Sequence, residues 1–296
     1  MAGYRILAVH AHPDDESSKG AATMARYVAE GHRVMVATMT GGEAGSILNP
    51  AMDRPGVLEN ITAIRREEMA NAAKALGIEH RWMGFIDSGL PEGDPLPELA
   101  EGTFATLPVA EAAAPLVALV REFRPHIIIT YDEHGGYPHP DHIQTHKVSM
   151  FAFDAAADPD YHDPAGADIG APWEVSKMYY THGFVPERLK AFHEGLLEAG
   201  LESPFAAWLQ RFADNQREDV GARVTTKVRC GAYFPQRDDA LRAHATQIDP
   251  HGFFFAVPLL VQQQLWDTEE FELARWRGRE FPLPEDELYA GLPEAK

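Results

Sequence analysis

Continuous apolar runs alternate along this chain with stretches whose apolar residues recur at helical spacing, and that alternation predicts a sheet covered by helices. "YRILAVHAH" at 4–12 reads as a buried strand, and "SSKGAATMARYVAEGH" at 17–32 as a helix with apolar Ala21, Met24, Ala25 and Val28, stopped by Gly31. "RVMVATMT" at 33–40 is a second strand, "GGEAG" a glycine-rich loop, and "VLENITAIRREEMANAAKALG" at 57–77 a long helix stopped by Gly77. "HRWMGF" at 80–85 is a third strand, and 90–108 carries too much Pro and Gly to be regular. A helix at 109–124 that tolerates Pro115, the β-branched strand "PHIIITYD" at 125–132 and a helix within 136–157 follow.

A linker rich in Asp, Pro and Gly at 157–172 leads into the strand-like "VSKMYYTHGF" at 175–184. Beyond Pro186 the pattern loosens to helices around 187–199 and 236–247, a strand candidate "ARVTTKVRC", and a tail rich in Pro and acid. The expected fold is α/β, a Rossmann-like open, mainly parallel sheet with helices on both faces and a C-terminal cap region. The expected organisation is one domain over 1–296, an α/β core at 1–185 with a cap at 186–296 packed on it.

The 296 residues are 45% hydrophobic, enough for a sizeable core, and the formal net charge of −19 argues against nucleic acid, whose phosphates require clustered Lys and Arg. A small polar molecule is the expected partner, with no nucleic acid and no membrane. Cys230 is the one cysteine, so no internal disulfide forms and a thiolate-based structural metal site is excluded. The chain opens without a basic, apolar leader, and the cytoplasm is the expected compartment.

Ligands of open α/β sheets bind at the carboxyl ends of strands. Two such ends carry His-Pro-Asp segments, "HPDDE" at 12–16 and "HPDH" at 139–142. His12 and Asp15 can converge across the proline turn, and His142 completes two imidazoles and a carboxylate with an open position, the composition of a catalytic zinc site. The same set suits a non-haem iron centre. Asp14 is then the base that deprotonates the attacking water. His139 is the second protonatable group, expected to protonate the leaving group, with Asp141 to fix its tautomer and stabilise its charged form, and Tyr137 is a donor to a developing oxyanion. Each segment alone could be a helix start with acids complementing the dipole. His10 reads as a core residue, His146 as a weak alternative ligand, His182 and His244 as structural or solvated, and Cys230 as a small buried hydrophobe.

"HAHPDDESSKGAAT", "TGGEAG", "MGFIDSGLP", "TYDEHGGYPHPDH" and "RDDALRAHATQIDP" together resemble the PIG-L/LmbE-like family of zinc-dependent N-deacetylases and amidases over essentially the full length. The resemblance implies zinc on His12, Asp15 and His142, one per subunit with Fe2+ as the substitute, and Asp14 as base. It gives the assisting histidine, its carboxylate and the mobile tyrosine as His139, Asp141 and Tyr137. Polar contacts to inositol and glucosamine hydroxyls fall on Glu43, Arg65 and Asp87, of which Arg65 and Asp87 read equally as a surface charge and a turn cap. Lys19, one helical turn beyond Asp15, matches a lysine of the amidase branch and would engage the cysteinyl part of a larger substrate. The implied reaction is hydrolysis of the amide between N-acetylcysteine and glucosamine in mycothiol S-conjugates, a detoxification step giving a mercapturic acid and glucosaminyl-inositol. Deacetylation of N-acetylglucosaminyl-inositol is the alternative.

Overall fold

The computed structural model describes residues 3–183, 185–214, 219–278 and 282–294; Phe184, the end of one expected strand, and 279–281 and 295–296 of the acidic tail lie outside them. Among the described residues the order is β1 (Arg5–His10), α1 (Asp15–Ser18), α2 (Ala21–Ala29), β2 (Arg33–Thr40), α3 (Ile61–Leu76), β3 (Glu79–Phe85), α4 (Val109–Phe123), β4 (Ile127–Thr130), α5 (Pro140–Ala155) and β5 (Lys177–His182). Then come α6 (Pro186–Glu198), α7 (Ala206–Asp214), β6 (Thr226–Arg229), α8 (Phe234–Ala243), α9 (Leu259–Leu265) and β7 (Thr268–Trp276). The strands form one open sheet in the order β3-β2-β1-β4-β5-β7-β6, parallel from β3 to β5 and antiparallel at β5/β7 and β7/β6. No helix of the described residues is long and apolar enough to cross a membrane.

The apolar runs form strands because both faces of the sheet are covered. Leu7, Val9, Met35, Ala37, Ile128 and Met178 pack with α4 and α5, while Ile6, Ala8, Val34, Val36, Ile127 and Ile129 pack with α2, α3 and α8. The period of two thus serves two cores at once. Each fully buried Ile or Leu contributes about 1.5–3 kcal/mol, so the run Ile127–Ile129 fixes β4 strongly. Pro115 is exposed, so the hydrogen bond it cannot donate is lost on the solvent side, where water reaches the freed carbonyl.

Four features differ from the expectation. The helix after β1 breaks into α1 and α2, because Lys19 leaves helical geometry and Gly20 takes φ +86. The helix expected to reach 247 stops at Ala243, since His244, Thr246 and Gln247 turn inward to Glu16, Glu68 and the Ser46 carbonyl. The acidic tail also hides a strand: β7 lies between β5 and β6. Its acids are paired rather than solvated, Glu269 accepting the Ala22 and Thr23 N–H groups that open α2, Glu270 meeting Arg188, and Glu272 meeting His182 and Arg223. The short helices α7 and α9 are likewise additions, packing with α6 around Phe192, Leu196 and Phe205.

Candidate active site

The chain enters the sheet at β1, builds outward to β3, then returns to place β4 on the other side of β1. The crevice at this switch point, beyond the carboxyl ends of β1 and β4, is where open α/β sheets take ligands. His12 to Asp15 follow β1, and the loop from Tyr131 to His142 follows β4. The Asp132 carboxylate accepts the His134 and Gly136 N–H groups and so shapes that loop. At Gly135, with φ +73, an added Cβ would stand 2.6 Å from the His142 Cβ, so only glycine lets the loop close on that ring.

His12, Asp15 and His142 are brought together. His12 Nδ1 lies 3.3 Å from His142 Nε2 and 3.7 Å from Asp15 Oδ2, and His142 Nε2 lies 3.3 Å from the same oxygen. Tetrahedral coordination with bonds of about 2.0–2.2 Å sets donors about 3.3–3.6 Å apart, so the triangle fits a cation such as Zn2+ without rearrangement. The outward nitrogens complete the fit: His12 Nε2 donates to Asp141 Oδ2 (3.3 Å) and His142 Nδ1 to the Gly135 carbonyl (2.9 Å). The inward nitrogens, His12 Nδ1 once it gives up its proton and His142 Nε2, are thereby aimed at the cation. Burial disfavours a charged His12, but its hydrogen bonds to Asp141 and Asp87 and the charge of Asp15 outweigh this and hold it up to about 10.

Tyr131, which sequence reasoning missed, supports this cluster. Its hydroxyl donates to Asp15 Oδ2 (2.7 Å) and accepts from Ala11 N–H (2.8 Å), and its ring stacks on His142 at 4.3 Å. An apolar run ending in Tyr offers no signal that separates it from a core residue. His10 is a core residue, as expected, lowered to about 4 chiefly by burial, and His146 bonds the Tyr131 carbonyl outside the cluster. Cys230 is buried.

Asp14 stands outside the triangle although its neighbour is in it. Its backbone has φ 116 and ψ −25, a region that favours glycine and costs aspartate about 1–3 kcal/mol. Burial, then the charge of Asp15, raises its carboxyl above the usual range, while Arg65 opposes the shift. Arg65 is no surface charge: it is 3% exposed, packed against Gly42, and its Nε has no hydrogen-bond partner. Glu43 and Asp87 clasp each other's loops, Glu43 accepting from Asp87 N–H (3.0 Å) and Asp87 from Ala44 N–H (3.0 Å). Asp87 also approaches His12 Nε2 at 3.5 Å.

One expected pairing is corrected. The Asp141 carboxylate does not reach His139; it takes the His12 ring and Ser88 N–H (3.0 Å), while the Asp141 backbone N–H donates to His139 Nδ1 (3.1 Å). His139 is the N-cap of α5, and burial followed by the two neighbouring imidazoles lowers it to about 4, so it is neutral with its proton on Nε2 rather than the charged acid expected to protonate the leaving group. Lys19, expected to face a substrate, bonds Asp15 Oδ1 at 2.5 Å. Tyr137 is 43% exposed at the mouth, its ring 4.6 Å from His142.

Glu16 and His244 were also missed as a pair. Both are fully buried, His244 Nε2 sits 2.7 Å from Glu16 Oε1, and Glu16 Oε2 accepts the Asp14 N–H at 3.0 Å. Their separation of 228 positions conceals them from any local pattern.

Comparison with known proteins agrees with this geometry. A family profile described as "PIG-L: GlcNAc-PI de-N-acetylase" matches residues 7–153. The chain is 53% identical over 97% of its length, and 97% of the relative's, to a mycothiol S-conjugate amidase of Streptomyces coelicolor. It is 42% identical, over 98% of both chains, to a 1D-myo-inositol 2-acetamido-2-deoxy-alpha-D-glucopyranoside deacetylase of Geodermatophilus obscurus. Its fold matches N,N'-diacetylchitobiose deacetylase from Pyrococcus horikoshii, with a TM-score of 0.60 at 18% identity, over 91% of this chain and 83% of that one. The chain thus belongs to the PIG-L family of deacetylases and amidases, hydrolases acting on amide bonds.

Proposed function

We propose that this chain is a zinc-dependent amidohydrolase that cleaves the amide joining N-acetylcysteine to glucosamine in mycothiol S-conjugates, a cytoplasmic detoxification step acting on a small molecule. The observation that carries this reading is the 53% identity, end to end, to a protein named for that activity, against 42% to one named as the inositol-linked deacetylase. In this reading 1–185 form the catalytic core and 186–296 the cap of one domain.

His12, Asp15 and His142 would hold the zinc, which supplies Lewis-acid polarisation of the amide carbonyl and of the attacking water. Asp14 takes the proton from that water, and its raised carboxyl is suited to hold it. His139, neutral with its Nδ1 occupied, offers the Nε2–H to the developing oxyanion, and the Tyr137 phenol at the mouth offers a second donor. Asp14 then returns its proton to the departing glucosamine nitrogen. Asp87, Glu43 and Arg65 line the sugar side. Lys19 lines a recess of about 80 Å³, one side chain away from Asp15, whose wall mixes Phe192, Phe205 and Phe253 with Arg188, Arg237 and Glu270, and the S-linked part of the conjugate is placed there.

The decisive assay compares kcat/KM of the zinc-loaded protein on a mycothiol S-conjugate and on N-acetylglucosaminyl-inositol. Preference for the conjugate is expected; preference for the acetylated sugar would move the chain to the deacetylase reading, which full-length relatives near 40% identity also support. Asp141→Asn keeps the volume but removes the charge behind His12, so zinc affinity is expected to fall about 10- to 100-fold in competition with a chelating dye. Unchanged affinity with slowed turnover would instead return Asp141 to service of His139.

A further inference from the structure

The third acid of "HPDDE" has no part in the chemistry above, yet it is buried and spoken for at both oxygens. Glu16 Oε2 accepts the peptide N–H of Asp14 (3.0 Å), and Oε1 receives His244 Nε2 (2.7 Å) and the Ser17 hydroxyl. His244 follows the last turn of α8; its Nδ1 has no hydrogen-bond partner, and its backbone is held in place. Its carbonyl accepts the Gln247 and Ile248 N–H groups, and Glu68 of α3 takes the Thr246 N–H and hydroxyl, both at 2.7 Å. Thr246 O in turn accepts from Leu48 and Asn49, behind the glycine-rich loop.

Asp14 and Asp15 are consecutive, yet one belongs to the three-donor cluster and the other does not. The positive φ of Asp14 is what separates them, and an aspartate leaves that conformation unless something holds its peptide. Glu16 Oε2 is the side-chain acceptor on that N–H. We propose that Glu16 and His244 are positioning residues for amide hydrolysis: Glu16, steered by His244, holds the Asp14 peptide in its left-handed turn and so aims the base. This rests on the reading of Asp14 as the base. It also gives the "RAHATQ" segment, distant in sequence, a defined task in the reaction.

The test uses full-length, zinc-loaded protein and whichever of the two amides above turns over faster. Glu16→Ala and His244→Ala are expected to lower kcat about 10- to 100-fold with KM and zinc content unchanged, since a small misplacement of a reacting group costs on that order. Glu16→Gln, which still presents an oxygen to the Asp14 N–H, is expected to recover at least tenfold of the Glu16→Ala loss. In an Asp14→Asn background the alanine changes are expected to cost nothing further, because residues that act through one group are not additive. Should Glu16→Ala fail to fold, His244→Ala, which leaves the carboxylate in place and a cavity that water can enter, bears the same readings. Parental kcat in the alanine variants beside a crippled Asp14→Asn overturns the positioning role alone, as do losses that add in that background. A parental rate in Asp14→Asn itself removes the base assignment instead.

Discussion

Replacing Asp14 with asparagine is expected to lower kcat about a hundred- to ten-thousand-fold while zinc content and the unfolding midpoint stay parental, the range lost when a general base is removed. Asparagine is the informative choice for two reasons. It matches aspartate in shape, and it tolerates positive φ better than any other residue with a branched polar end, so the turn at φ 116 survives. What disappears is only the ability to accept a proton. The acid limb of the parental kcat profile is expected to report the Asp14 carboxyl, activity falling as pH drops through it. The variant's residual rate should lack that limb. A variant that hydrolyses substrate at the parental rate would sink the assignment.

Truncating His142 to alanine is expected to abolish both zinc retention and turnover, and added zinc should not restore them, whereas chelated parental protein should recover on re-addition. The ring is fully buried, its inner nitrogen faces His12 and Asp15, and its outer one is held by Gly135. Its loss removes a donor and leaves a hole among Tyr131 and Tyr137 that no neighbour can fill with a lone pair. The parental protein should also show proton linkage. Free of metal, His12 is held up to about 10, so below that pH zinc must displace its proton. Apparent affinity is therefore expected to rise with pH up to about 10, with one proton released per ion from His12. Calorimetry in buffers of different ionisation enthalpy measures this, and binding at pH 8 without proton release would contradict it.

What could be read from the sequence follows the range of the interactions involved. The strands β1 and β4 were legible because fully buried parallel strands must be apolar throughout, and the triangle of His12, Asp15 and His142 because its donors lie at strand ends with regular spacing. The strand β7 was not, since its inward acids Glu269, Glu270 and Glu272 look like solvated charge until Arg188, Arg223, His182 and the N-terminus of α2 arrive to meet them. The spacing of the segment assigns Asp141 to His139, two positions before it. Space gave it to His12, 129 positions away, because the α5 N-terminus already satisfies His139 through a backbone N–H. Local spacing thus identifies the candidate donors, and tertiary pairing decides which residues hold them.

The interior position of β7 bears on how the molecule is made. The strand that must pair with β5 is translated roughly ninety residues after it, about 5–20 s later at ordinary elongation rates. During that interval β5 offers the ribosome exit an unpaired edge of wholly buried residues, a template for pairing with another nascent chain. Synthesis pauses within 183–267 should therefore be hazardous, and soluble yield should respond to holdase chaperones more strongly than the stability of the finished protein does.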